Sequence, residues 1–171
     1  MVYKMRVKLN ISLLLITSLM VSFMSLLAGC GGEEVGFGIY LVDNGELVLS
    51  ERHIDAYYGD THTIELNEDG IRKWNSYMTW ETIPKQKDSL HNKDFALKIE
   101  GKEIYGGKFY SGASSMSYSG VVIMDAIIEL DNDRNTIRIQ FGYPAPTFGE
   151  GEDPRDAPEV IDFLEKQGLL R

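Results

Sequence analysis

The sequence predicts an α+β domain: a largely antiparallel sheet with two or three helices packed on one face. Three observations predict it. Segments 61–66, 95–100 and 136–141 alternate apolar and polar residues, the period of a half-buried strand. Residues 71–78 and 160–164 instead repeat apolar residues at helical spacing. Turn chemistry punctuates the segments, at Asp43-Asn44-Gly45, Glu100-Gly101 and Asp131-Asn132-Asp133. The strands come in hairpin-like runs rather than in strict alternation with helices, which points to α+β layering.

The chain begins with a part that does not belong to this fold. Lys4, Arg6 and Lys8 make a cationic start, and residues 11–27 are mostly Leu, Ile, Met, Val and Phe, diluted by Ser12, Thr17, Ser18, Ser22 and Ser25. The small residues Ala28-Gly29 follow, directly before Cys30, the chain's single cysteine. This three-part order describes an export signal over residues 1–29. An uncleaved membrane helix is the competing reading, but an apolar run of about 17 residues lies near the short limit for a span. Leu27-Ala28-Gly29-Cys30 resembles the lipobox of bacterial-type lipoproteins. The resemblance implies that the Cys30 thiol receives a diacylglyceryl thioether and that the peptide bond before it is cut. It places the protein on the extracytoplasmic face of the cell membrane, held by lipid. Two acyl chains hold a protein to a bilayer where one does not, each buried methylene contributing about 0.8 kcal/mol. Residues 30–36, with Gly31-Gly32-Glu33-Glu34, form a short flexible tether. Residues 37–171 form the domain.

After Cys30 the chain holds all 26 acidic residues but only 14 of the 17 basic ones, a formal charge of −12. Such a balance opposes nucleic acid as a partner, since phosphate neutralisation needs a basic face. It also opposes electrostatic adhesion to anionic headgroups. With one cysteine, no disulfide within the chain is available, so a hydrophobic core must supply stability. About 140 residues suffice for one such core.

In order along the domain, residues 37–42 read as a strand apolar on both faces, hence central, ended by the Asp43-Asn44-Gly45 turn. Leu49-Ser50-Glu51 reads as the start of a short helix, with Ser50 as cap, Leu49 as staple and Glu51 at the positive end. A strand over 61–66 follows. Asn67 caps a helix with Glu68 and Asp69 in its first turn and Ile71, Trp74, Tyr77 and Met78 on its buried stripe. Residues 81–93 read as a polar loop. Phe95, Leu97 and Ile99 mark a strand that returns as a hairpin over 104–110. Residues 111–120 form a small-residue loop, 121–130 an apolar strand, and 136–141 its partner. A loop with Pro144, Pro146, Gly149 and Gly151 leads to a last helix, with Asp156 and Glu159 as a capping box, Val160, Ile161 and Leu164 buried, and Gly168 as its stop.

Residues 61–78 and 94–123 resemble the head of the first large periplasmic domain of SecD, an accessory subunit of the Sec translocon. The resemblance rests on Leu66-Asn67-Glu68-Asp69-Gly70, on the Ala96-to-Ile99 strand with Glu100-Gly101-Lys102, and on the loop from Ser111 to Gly120. The Leu49-Ser50 segment with Ile54 also fits. About half of the domain is covered, and the shared motifs are fold punctuation. The resemblance implies a fold and a habit: a module above the membrane that contacts polypeptides or partner subunits. The several membrane helices of SecD have no counterpart, so motor activity does not carry over.

Chemistry-bearing residues are sparse. His53, His62 and His91 show no metal-ligand spacing. The serines between 111 and 119 lack a Gly-x-Ser-x-Gly elbow, because Met116 holds its last place. Asp131, Asp133 and Asn135 begin like a calcium loop, but Thr136 and Gly142 stand where Gly and Glu belong. Glu150, Glu152, Asp153 and Asp156 make an acidic loop that is a weak candidate for a hard cation. Gly106-Gly107 lies in a strand and marks a bulge or close packing. No cofactor, metal site or catalytic residue is assigned. The sequence therefore points to a non-enzymatic module that binds an envelope protein or a ligand. Tyr110, Tyr118, Tyr143 and Phe148 are its candidate contact residues, and packing under loops is their competing role. The alternative is an envelope hydrolase. It requires His62 or His53 to meet a carboxylate and a serine in one cleft.

Overall fold

In the computed structural model, the described residues form eight strands in one curled mixed sheet, with two α-helices and three short 310 turns. The structure describes residues 35–77, 89–110, 114–124 and 129–171. The expected signal peptide, Cys30, Met78, residues 81–88 of the polar loop, and parts of the 111–120 and 121–130 segments lie outside them.

The strands are β1 (Phe37–Leu41), β2 (Leu47–Ser50), β3 (Ile54–Tyr58), β4 (Thr63–Leu66), β5 (Asp94–Ile99), β6 (Lys102–Tyr110), β7 (Tyr118–Met124) and β8 (Thr136–Tyr143). The helices are α1 (Glu68–Asn75) and α2 (Pro158–Lys166). The spatial order is β2-β1-β5-β6-β7-β8-β4-β3. Six of the seven ladders are antiparallel, and β6 pairs with β7 in parallel.

The order explains the curl. β2 and β3 stand at opposite edges of the sheet, yet only the 310 turn Glu51–His53 joins them. Three residues reach about 10 Å at most, so the two edges must come round toward each other. Alternation along the strands gives the sheet an apolar inner face: Phe37, Ile39, Leu97, Phe109, Ile123 and Ile139 are buried in one cluster. Trp74 of α1 and Val160 and Leu164 of α2 belong to the same cluster. Trp74 packs on Phe109, ring centroids 6.2 Å apart, and Phe109 on Phe95 at 5.2 Å.

The helix expected after Leu49 is absent. Ser50 does end one element and start another: its N–H donates to His53 Nδ1 at 2.9 Å, and its hydroxyl lies 3.1 Å from the same nitrogen. But only one 310 turn follows before β3 begins. Val48 and Leu49 are buried in β2, and residues 54–58 pair with β4, so tertiary pairing overrides the local capping signal. Glu51 does not serve a helix end either. Its carboxylate accepts from Gly36 N–H (2.9 Å) and Phe37 N–H (3.2 Å), fixing the start of β1.

α1 forms as its sequence dictates. Asn67 Oδ1 accepts from Gly70 N–H at 2.9 Å, while Asn67 Nδ2 donates to Arg52 O at 2.8 Å. The helix ends at Asn75, so Tyr77 lies beyond it. In the β5–β6 hairpin the two turn residues Glu100 (φ 48°) and Gly101 (φ 78°) are both left-handed, the signature of a tight two-residue turn. α2 is not capped by Asp156. Ala157 precedes it, Pro158 opens it, and Asp153 caps the separate 310 turn Pro154–Asp156 through Arg155 N–H. Its end follows expectation: Gly168 (φ 71°) reverses the chain, with Leu169 N–H on Leu164 O and Gly168 N–H on Glu165 O.

The parallel β6–β7 ladder was not expected. Only residues 111–117 separate these strands, fewer than the dozen or so that usually cross over between parallel neighbours. Gly107 permits the close approach, since a Cβ there would lie 2.3 Å from Val121 O.

Candidate functional site

Three of the four aromatic candidates converge. Tyr110 at the end of β6, Tyr118 at the start of β7 and Tyr143 at the end of β8 meet with Val122 and Met124 in a small second cluster, separate from the main core. Tyr110 and Tyr143 are 4.7 Å apart between ring centroids, and Tyr110 and Tyr118 are stacked at 6.0 Å. The hydroxyls also have partners. Tyr110 Oη donates to Met116 O at 2.8 Å, and Tyr143 Oη donates to Ser114 O at 3.1 Å. Tyr110 and Tyr143 are buried and Tyr118 is half-buried. Two buried phenols therefore hold the serine-rich loop against the sheet.

Phe148 stands apart from the three tyrosines, at the end of the 310 turn Pro146–Phe148, and is 45% exposed. The next loop residue but one, Glu150, donates its N–H to Ser119 O at 3.1 Å, which ties the proline loop to β7. Met116, on the tyrosine-held loop, is 71% exposed. Sequence reasoning named only aromatics and missed it. The available signal was an isolated large apolar residue in a run of Ser, Gly and Ala. Thus two loops, each bonded to β7 or its neighbours, carry the exposed apolar side chains Met116 and Phe148.

The histidines lie on three different segments. His53 closes the Glu51–His53 turn, and its Nδ1 faces Ser50. His91 precedes β5, and its Nδ1 is buried without a hydrogen-bond partner. His62 occupies the β3–β4 turn in a left-handed conformation (φ 50°) and is 7% exposed. Its Nδ1 shares a 3.0 Å hydrogen bond with Tyr57 Oη, and its Nε2 lies 3.9 Å from Asp156 Oδ1. That is beyond hydrogen-bond reach, and no serine joins them among the described partners. The His–carboxylate–Ser constellation required of a hydrolase is not assembled among the described residues.

Around His62 the groups are strongly perturbed. Burial, then the Arg155 guanidinium, holds the His62 imidazole below its usual range, against the pull of Asp156 and Asp153. Burial pushes the Tyr57 and Tyr105 phenols up. The Tyr105 hydroxyl has no hydrogen-bond partner. Asp153 is held below the ordinary carboxylate range, first by hydrogen bonds from Arg155. These run from Arg155 Nε at 2.9 and 3.2 Å and from Nη2 at 2.6 Å, while Nη1 donates to Ile139 O at 3.0 Å. Beside this pair lies an open cleft of about 370 Å³, lined by Glu152, Asp153, Pro154, Asp156, Ala157 and Pro158.

The acidic loop does not gather as a cation site. Asp153 is committed to Arg155, and no group of three His, Cys, Asp or Glu suited to a metal occurs among the described residues. Asp131, in the calcium-like run, accepts from its own turn instead, from Asp133 N–H and Arg134 N–H at 3.0 Å each. No helix among the described residues is long and apolar enough to cross a membrane.

Compared with protein-family models, curated proteins and solved structures, the chain matches none.

Proposed function

We propose that this protein is a lipid-anchored module on the extracytoplasmic face of the cell membrane, non-enzymatic, binding a protein partner or ligand of the envelope. The observation that carries the reading is the placement of the single cysteine. Cys30 follows a cationic start, an apolar run and Ala28-Gly29, and stands seven positions before Phe37, the first residue of β1. A diacylated Cys30 then leaves residues 31–36 as the link to the fold. The resemblance to the SecD periplasmic head suggests the same habit of contacting polypeptides above a membrane.

The contact surface of this reading is the pair of loops bearing Met116 and Phe148, with Tyr118 following Met116 at the start of β7. Exposed Met and aromatic side chains on loops tied to a rigid sheet suit a protein surface, because they add apolar area at little ordering cost. Tyr110 and Tyr143 support that surface from beneath. The hydrolase alternative has no observation of its own in its favour.

The anchor is tested by Cys30→Ala. The variant should leave the membrane fraction, or stay as uncleaved precursor, while wild type remains after an alkaline wash. Mass spectrometry of the wild type should find an acylated N-terminal cysteine; an intact Met1 or a bare thiol at position 30 refutes the anchor. The contact surface is tested by a photo-crosslinking residue at position 148 or 116 in intact envelopes. A discrete adduct that is lost on Phe148→Ser supports it. Equal labelling at an exposed control position, Glu165, refutes it.

A further inference from the structure

We propose that His62 is an acid-operated latch that holds the C-terminal segment 153–171 on the β3–β4 hairpin. The residue sits where three parts of the fold meet. Its own turn links β3 to β4, its backbone carbonyl accepts from Ile139 N–H of β8 at 2.9 Å, and its buried ring faces the 310 turn Pro154–Asp156, Nε2 lying 3.9 Å from Asp156 Oδ1. Tyr57 makes the second connection. Its side chain bonds His62, and its backbone holds the chain's end: Tyr57 N–H donates to Leu169 O and Arg171 N–H donates to Tyr57 O, each at 2.8 Å, while Gly59 N–H donates to Arg171 O at 3.2 Å.

The charges facing the ring set the direction. Arg138 comes from β8; Arg155 and Asp156 come from the 310 turn and Asp153 caps it; Tyr57 comes from β3. Arg155 is largely buried and fixed by Asp153 and Ile139 O, so it cannot withdraw from a charged imidazole. Asp156 attracts the charged ring, but from 3.9 Å and from a side chain 74% exposed, where water screens it. Burial opposes the cation most. Proton uptake at His62 therefore favours a state in which the ring reaches water. What must yield is the 310 turn beside the ring and, through Tyr57, the pairing with residues 169–171, while α2 between them stays packed in the core. Opening unpairs the outer edge of β3, freeing Tyr57 N–H and C=O and Gly59 N–H. Such an edge accepts an added strand.

Amide exchange on the full chain tests this. The exchange of Tyr57, Gly59 and Arg171, corrected for intrinsic rate, should show an opening constant that rises between pH 7.5 and 5.0, by up to about tenfold per pH unit, the limit for one proton. Ile39 and Leu97 in the core should not follow. His62→Asn, a residue that tolerates the left-handed backbone, should abolish the pH response. Asp156→Asn, a change at an exposed side chain, should not diminish it, because the charged ring loses its nearest carboxylate and the closed state is disfavoured further. Wild-type opening that ignores pH, a response that persists in His62→Asn, core amides that respond in step, or a diminished response in Asp156→Asn would each overturn the latch.

Discussion

Gly70→Ala sets two opposed effects against each other. Gly70 lies in the first turn of α1, and its backbone is not left-handed, so helix propensity alone favours alanine by about 0.5–1 kcal/mol. The surroundings oppose it. A Cβ at position 70 would stand 2.2 Å from His53 O and 3.1 Å from Leu66 Cβ. The carbonyl cannot swing aside freely, because it accepts from Asn67 N–H at 3.1 Å. Relief therefore requires α1 to move away from the 310 turn that joins the sheet's two edges. That motion weakens the Asn67 cap on Gly70 N–H, worth about 1 kcal/mol, and adds overpacking strain of about 1–3 kcal/mol. Net destabilisation should be about 1–3 kcal/mol, a fall in Tm of roughly 3–5 °C per kcal/mol in a domain of this size. Urea unfolding of residues 31–171, wild type against variant, measures it. A variant as stable as wild type, or more so, would refute the close approach of α1 to His53.

Other perturbations have equally definite outcomes. Arg155→Met leaves Asp153 and Ile139 O without their donor and should cost about 2–4 kcal/mol in urea unfolding, more than Arg134→Met in the solvent-screened Asp131 turn. Tyr110→Phe removes the hydroxyl that holds Met116 O. It should cost about 1 kcal/mol and speed proteolytic cleavage at residues 114–117 while core amides stay protected. His53 is buried, which holds its folded value below the unfolded one near 6.5. Its contribution to stability is thus present above about pH 6.5 and is lost as pH falls through the folded value, and its ring should titrate below about 6.5 by NMR.

The parts of this fold that were legible are those whose determinants are local. The Asn67 cap, the Glu100-Gly101 turn, the Gly168 stop and the alternation of β5 and β8 each depend on a few neighbouring residues and appear as read. Residues 49–58 were misread because Ser50 and Glu51 carry a true local signal, a cap, that serves a turn of three residues rather than a helix. What ends that turn is pairing of residues 54–58 with β4, which no local pattern announces. The β6–β7 pairing is likewise invisible locally: Gly106-Gly107 signalled close packing, but not that the neighbour is β7 or that it runs parallel. At the candidate site the tyrosines were found by residue type and loop position. That two of them would be buried under the loop follows from their hydroxyls meeting Met116 O and Ser114 O, partners that only the folded chain brings near.

Glu51 shows how one misread residue unites the fold. As a helix-start acid it would stabilise by a few tenths of a kcal/mol and touch nothing distant. Its carboxylate instead receives Gly36 and Phe37 N–H across 15 and 14 positions of sequence. Gly36 also lies under Phe163 of α2, where a Cβ would meet the ring at 2.4 Å, and its carbonyl accepts from Glu100 N–H in the β5–β6 turn. One carboxylate in the turn between the sheet's edges thus fixes the first residues of β1, which in turn meet α2 and the β5–β6 hairpin. Charge-assisted bonds to backbone N–H contribute about 1.5–3 kcal/mol each where water is excluded, and these two are part-buried. Glu51→Gln keeps the shape and one carbonyl acceptor but halves the acceptor set and removes the charge. A loss confined to exchange protection of β1's first amides would identify Glu51 as a local clamp. A cooperative loss across β1, β5 and α2 would show that closing the curled sheet depends on it, and the position of the turn between the two edge strands argues for the second outcome.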